Sequence, residues 1–327
     1  MIKQTRRILL TSAMLTTALA SSNLLAQTFP AKSISIVVPY AAGGSTDVSA
    51  RSLAEGMSKA LGVSVVIENK PSAGGFVAAT YVAKAPKDGY TLLYSNGTMT
   101  ATNPNLYNNM PYKVSDFAPI SGTVKFPYVI NAAATIPVKN MAEMITYAKS
   151  KPEGVTIGTV GLGTQTHIVA EWLGRTLGFK VVPVHYKGTS QSSIDLIGGR
   201  LDFIIDGLST AAPMHNAGKL RIVASMGKER PAILPASVQT TEEAGYPDLF
   251  SYADFGLMAP VGTPQATIRQ LHAAVVAALK SPAMVEKMQA RGEVPTASAS
   301  PEEYSAFIHG EQLRWANIIK PMNVKLD

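Results

Sequence analysis

Apolar positions along the chain alternate between two periods. The short β-branched runs "SISIVVPY" (residues 33–40), "VSVVIEN" (63–69) and "YTLLYSN" (90–96) read as strands. Between the first two, Ala50, Leu53, Ala54, Met57 and Leu61 fall on one helical stripe, and "FVAATYVAKA" (76–85) reads as a second helix. The alternation resumes with strand "GVTIGTV" (154–160), helix "QTHIVAEWLGRTLG" (165–178) and strand "KVVPVHY" (180–186), followed by helix "SSIDLIGG" (192–199) and strand "LDFIIDG" (201–207). Strands alternating with helices of this length predict βαβ units and mostly parallel pairing. The last third, from "TPQATIRQLHAAVVAALKS" (263–281) through "SPEEYSAFIHGEQLRWANIIK" (300–320), is helical in pattern.

Two apolar runs, each followed by proline and a helix start, interrupt the alternation: "FPYVINAAATIPVKN" (126–140) and "YADFGLMAPVGTP" (252–264). They predict two crossings between lobes, with residues 27–134 and 251–327 forming one lobe and residues 135–250 an inserted second lobe. Each lobe then begins with strand, glycine-rich loop and helix, as in "VVPYAAGGSTDVSARSL" and "TIGTVGLGTQTHIVAEWL".

Those two loops carry the candidate chemistry. In the first, Gly43 and Gly44 permit a tight turn and close backbone approach. Ser45 or Thr46 is expected to cap the helix, whose first amides carry partial positive charge toward an anion. The loop lacks the Lys of a phosphate-binding P-loop and the spacing of a dinucleotide fingerprint, and Asp47 disfavours a doubly charged phosphate. The second loop, with Gly161, Gly163, Thr164, Gln165, Thr166 and His167, repeats the pattern in the other lobe. Two helix N-termini facing each other across a cleft hold a carboxylate without any catalytic group.

Composition narrows the classes. The chain has 327 residues, no cysteine and a formal charge of +7. Its start, Lys3, Arg6 and Arg7 followed by the apolar "ILLTSAMLTTALA" (8–20), reads as a secretory signal over residues 1–26, cleaved after Ala26. "TRRILLT" also resembles a twin-arginine signal. Losing three basic residues and no acidic one brings the charge from +7 to +4, and no basic block survives, which argues against nucleic acid as a partner. Without cysteine there is no disulfide, thiol nucleophile or cysteine metal site, so the exported chain must rely on core burial. Histidines 167, 185, 215, 272 and 309 show no paired ligand spacing, and there is no G-x-S-x-G elbow. No catalytic residue, metal or cofactor is therefore expected. A structural hydrogen bond is the expected role of His167. Asp195, Asp202 and Asp206 are not expected to share a site, and Trp172 and Trp315 are expected in packing.

The chain resembles the Bordetella uptake gene (Bug) receptors, the periplasmic substrate-binding proteins of tripartite tricarboxylate transporters. The resemblance lies in "VVPYAAGGSTDVSAR", "VVIENKPSAGG" with "APKDGYTLLYSN", "GTVGLGTQTHIVAEWL", "VHYKGTSQSSIDLIGGRLDFIID" and "FGLMAPVGTP", five segments in order across the mature chain. It implies an α/β, type II periplasmic binding-protein fold, with two lobes joined by two crossing strands and closing over the ligand. It also implies a ligand site at Tyr40, Gly43, Gly44, Ser45, Thr46, Asp47, Thr159, Gly163, Thr164, His167 and Asp206. The partners it implies are a small organic carboxylate and the membrane transporter subunits, served by a monomer in the periplasm. Thr159 and Thr164 stand where Ser is usual, Ser72 replaces a glycine, Lys87 replaces a proline, "LPASVQTTEEAGYP" lacks the family's Val-Pro-Thr with Gln239 near the proline position, and Asp254 stands where Trp often precedes Phe-Gly. The rival readings are an exported enzyme acting on a carboxylated substrate and a periplasmic sensor for a signalling partner.

Overall fold

The computed structural model describes residues 29–326; the expected signal segment and its cleavage point lie outside the described residues. The chain runs β1 (Ile34–Val38), α1 (Ser45–Leu61), β2 (Val65–Asn69), α2 (Phe76–Ala83) and β3 (Thr91–Asn96). A π-helical turn (Thr98–Thr102) then leads to the long strand β4 (Phe117–Ala133). The second unit comprises α3 (Met141–Lys149), β5 (Val155–Thr159), α4 (Gln165–Leu177), β6 (Val181–His185), α5 (Thr189–Ile197), β7 (Phe203–Gly207), α6 (Leu208–Asn216) and β8 (Leu220–Ser225). Strand β9 (Tyr252–Pro260) returns to the first unit, and α7 (Gln265–Lys280), α8 (Pro282–Gln289), β10 (Val294–Pro295) and α9 (Pro301–Ile319) complete it.

The strands lie in the order β2-β1-β3-β9-β4-β7-β5-β6. Pairing is parallel among β1, β2 and β3 and among β5, β6 and β7, as the βαβ pattern requires. Antiparallel pairing is confined to the crossing strands β4 and β9 and their neighbours. From Phe117 to Pro127, β4 pairs with β9; from Tyr128 to Ala133 it pairs with β7 and β8. The change of partners sits a few residues ahead of the expected lobe boundary at 134/135 and beside the one at 250/251. Thus β4 and β9 tie two α/β lobes together, the architecture of periplasmic binding proteins.

The sequence pattern suggested a crossing that starts at Phe126, whereas β4 starts nine residues earlier, at Phe117. The reason lies in Pro119 and in two register shifts, between Pro119 and Ser121 and between Gly122 and Val124. A proline cannot donate to the ladder, and a bulge absorbs it at the cost of the clean alternation by which a strand is recognised.

Each lobe is held by burial of helix stripes on the sheet. On α1, Ala50, Leu53, Ala54 and Met57 are fully covered while Leu61 is only partly so. On α4, Ile168, Leu173 and Leu177 are buried. Each large side chain of this kind contributes roughly 1.5–3 kcal/mol relative to leaving it in water. Trp315 of α9 is completely buried, and Trp172 packs partly covered against the same core. These stripes fix where α1 and α4 begin, and so where their first amides sit.

Candidate functional site

The first loop does not cap itself as expected. Gly44, with φ −83° and ψ 171°, is the N-cap of α1 and no side chain caps the helix. Ser45 and Thr46 instead occupy the first two helical positions, so their own amides are among the four that a helix leaves without an internal partner. The left-handed residue is Gly43, at φ +82°. Asp47 explains why the turn holds. Its Oδ2 accepts from the Gly43 amide at 3.0 Å and from Arg51 Nε at 2.9 Å, and its Oδ1 accepts from Asn69 Nδ2 at 2.9 Å. Burial alone would raise its carboxyl, but the bonds from Arg51, Gly43 and Asn69 outweigh that and hold it below the ordinary range. Asp47 braces the turn and does not reach the cavity.

Gly44 meets the other lobe. A Cβ there would lie 3.1 Å from Thr189 Oγ1, and nearby the Ala41 amide donates to the Lys187 carbonyl at 3.3 Å. The loop therefore faces the N-terminus of α5, where Gly188 is the N-cap and again no side chain caps the helix.

The second loop is largely self-satisfied. The N-cap of α4 is Thr164, whose Oγ1 accepts from the His167 amide at 3.4 Å and donates to the Gly161 carbonyl at 2.7 Å. The Gly163 amide donates to His167 Nδ1 at 3.1 Å. Burial, with His185 beside it, lowers the His167 pKa to about 4, so the ring is neutral near pH 7 and serves as an acceptor within the loop. Thr159 is buried with its Oγ1 2.7 Å from His185 Nδ1. One further amide of the α4 start is met from the other lobe: the Gln165 amide donates to Thr98 Oγ1 at 3.0 Å, while Thr102 Oγ1 donates to the Gly163 carbonyl at 3.3 Å.

Between the lobes lies a cavity of about 30 Å³, room for roughly two waters. Its wall includes Tyr40, Gly44, Ser45, Thr46 and Asp206 of the expected residues; Gly43, Asp47, Thr159, Gly163, Thr164 and His167 stand behind it. The wall also takes in Thr166 of the second glycine loop; sequence reasoning missed the rest: Asn96, Thr98, Tyr128, Val160, Gly188, Thr189, Ala253 and Phe255. One signal was available, because "HYKGTSQSS" repeats the strand, glycine and helix order of the two loops. The residues at the end of β3 and on the crossing strands had none. No Lys, Arg or His lines the cavity.

Asp206, near the end of β7, is 1% exposed. Its Oδ1 accepts from the Gly207 amide at 2.6 Å and its Oδ2 from Thr210 Oγ1 at 2.7 Å. Burial pushes its carboxyl up to about 6 against the hydrogen bonds from Thr210, Gly207 and Thr189. Tyr40 is buried, its hydroxyl accepting from Asn96 Nδ2 at 3.2 Å, and burial raises its pKa. The three aspartates are separate: Asp195 binds Tyr186 and Arg200, and Asp202 binds Tyr147 and Thr156.

A larger groove of about 670 Å³ runs along the outer face of α2, past Phe76, Val77 and Tyr81. Its wall is mostly apolar, with Lys84 at its edge, and the single helix start along it, that of α2, has its Val77 amide bonded to Ser72 Oγ; the convergence of helix starts from both lobes singles out the smaller cavity. Among the described residues, no group of three or more His, Asp or Glu is placed to hold a metal ion.

Residues 49–324 match the family model described as tripartite tricarboxylate transporter family receptor. The chain is 33% identical over 327 residues to Protein BugT of Bordetella pertussis, covering 99% of this chain and 100% of that one. It is similar to the solved periplasmic binding protein BugD (TM-score 0.86, 33% identity, 91% of this chain and 99% of that chain). It is also similar to MatC from Rhodopseudomonas palustris with bound malate (0.84, 29%, 89% and 100%) and to R. palustris Rpa4515 with adipate (0.85, 32%, 89% and 97%).

Proposed function

The chain belongs to the tripartite tricarboxylate transporter receptor family, whose members are solute-binding proteins and not enzymes, and from that premise we propose that it captures one small organic carboxylate between its lobes. The carboxylate is held by the first amides of α1, from Gly44, Ser45 and Thr46, together with the uncapped N-terminus of α5 at Gly188 and Thr189. Thr166 at the start of α4 and the Tyr40 hydroxyl complete the grip. Gly43, Asp47, Thr159, Gly163, Thr164 and His167 shape the two glycine loops. The lobes, residues 27–134 with 251–327 and residues 135–250, close over the ligand about β4 and β9. The protein works as a monomer in the periplasm and hands its ligand to a membrane transporter of the tripartite tricarboxylate type.

The observation that carries this reading is the meeting of two uncapped helix N-termini at a cavity without any Lys, Arg or His. Helix N-termini place amide donors and partial positive charge on an anion, so a full cation is not required. The malate and adipate in the two solved relatives support the ligand class.

A thermal-shift screen of organic acids, followed by calorimetry of the best acid and its primary amide, tests the proposal. An acid at a hundred times its dissociation constant stabilises by about 2.7 kcal/mol. The amide is expected to bind at least about tenfold more weakly, because hydrogen bonds to a charged acceptor are stronger than those to a neutral one. Equal affinity for acid and amide contradicts capture by charge-assisted amides.

A further inference from the structure

Resting on the carboxylate reading above, we infer that the ligand also carries a hydroxyl or ammonium group that donates a hydrogen bond to Asp206. The position of Asp206 is the starting point. It belongs to the cavity wall, is almost wholly buried, and has no Lys, Arg or His sharing that wall. Each of its oxygens accepts one short hydrogen bond from its own lobe, Oδ1 from the Gly207 amide and Oδ2 from Thr210 Oγ1. The Thr189 side chain, on the same wall, also favours the ionised form. An ionised carboxylate has about four acceptor positions, so a donor arriving from the cavity finds one open.

Electrostatics selects what arrives there. With its carboxyl pushed up to about 6 by burial, Asp206 is still mostly ionised at neutral pH. The clamped carboxylate already brings one negative charge into a cavity of about 30 Å³. A further anionic group against Asp206 meets like charge in a poorly hydrated space, and an apolar group leaves a buried acceptor unused. A hydroxyl fills the open position, and an ammonium both fills it and offsets the charge.

The test uses calorimetry at neutral pH with matched series in which one carboxylate scaffold bears hydrogen, hydroxyl or ammonium on the α-carbon. Suitable probes are propanoate, lactate and alanine; succinate, malate and aspartate; and 3-phenylpropanoate, 3-phenyllactate and phenylalanine. If only other acids bind in the thermal-shift screen, a matched series built on the tightest of them takes their place. The hydroxyl or ammonium member is expected to bind about tenfold or more tightly than the bare acid. Asp206→Asn should shrink that ratio severalfold, a change that a purely structural role for Asp206, which would weaken all members of a series alike, would not produce. The hydroxyl and ammonium arms separate the two donors. A ratio near one in the wild-type protein overturns the inference and leaves carboxylate capture standing, as does a ratio unchanged in folded Asp206→Asn. If Asp206→Asn does not fold, the wild-type ratio alone decides. Failure of every acid to bind overturns the carboxylate reading itself.

Discussion

Replacing Gly44 by valine is expected to weaken carboxylate binding by about 10- to 100-fold, corresponding to 1–3 kcal/mol of overpacking placed on the closed form. Gly44 has φ −83°, a conformation open to any residue, so the substitution adds no backbone strain. Its Cβ would sit 3.1 Å from Thr189 Oγ1 and 3.7 Å from the Thr189 amide, atoms of the opposite lobe, and valine adds two methyls beyond that. The variant should fold with an ordinary melting temperature. It should also show a larger radius of gyration in solution scattering, because the contact between Ala41 and Lys187 is forced open. Fewer molecules then reach the binding-competent state, which lowers the apparent affinity. Gly43→Ala is the informative control: its φ of +82° strains an alanine, but a Cβ there meets nothing within 4 Å. It should cost about 1 kcal/mol of stability and keep the lobes together. Wild-type affinity in folded Gly44→Val contradicts closure of this loop onto α5.

Asp254→Asn is expected to stabilise the protein at pH 8 by up to about 4 kcal/mol. Asp254 lies on the crossing strand β9 opposite Lys125 of β4 and is buried. Burial, and after it the charge of Glu311, pushes its carboxyl from 3.8 up to about 7, only partly offset by Gln165 and Arg314. The folded state therefore keeps a proton that the unfolded chain releases. Its contribution to stability is fully present below about pH 4 and is lost as pH rises through about 7. Asparagine has the same shape without the charge. The gap between variant and wild type should be widest at pH 8 and close toward pH 4, as read by denaturant unfolding at each pH. His167, whose lowered pKa acts in the opposite direction between about 4 and 6.5, is common to both proteins and cancels in the difference. A variant less stable than wild type at pH 8 contradicts the buried charge.

The parts of the fold that depend on local periodicity were legible in the sequence. The stripe on α1, the βαβ alternation and the second crossing at "YADFGLMAP" follow from residue spacing alone. What was not legible depends on tertiary approach. Which glycine of the pair takes the left-handed conformation is decided by how Asp47 folds back on Gly43. Thr98 became a partner of α4 only because β3 ends in a π-helical turn beside it. Tyr128 and Phe255 reach the cavity because β4 and β9 pass beneath it. An apolar crossing strand gives no sign of which side chains face a ligand. The structural hydrogen bond of His167 was legible in the sequence, and Asp47 was legible as a loop residue, but the sequence did not show that both Asp47 oxygens are spent on Gly43, Arg51 and Asn69.

The most direct test of the account is a crystal structure with the tightest acid from the thermal-shift screen bound. One carboxylate oxygen is expected within hydrogen-bond distance, about 2.7–3.2 Å, of the Ser45 or Thr46 amide, with the same carboxylate also reaching Thr189 and no Lys or Arg side chain touching it. A ligand carboxylate paired with a lysine or arginine, or seated away from the N-termini of α1 and α5, would contradict it.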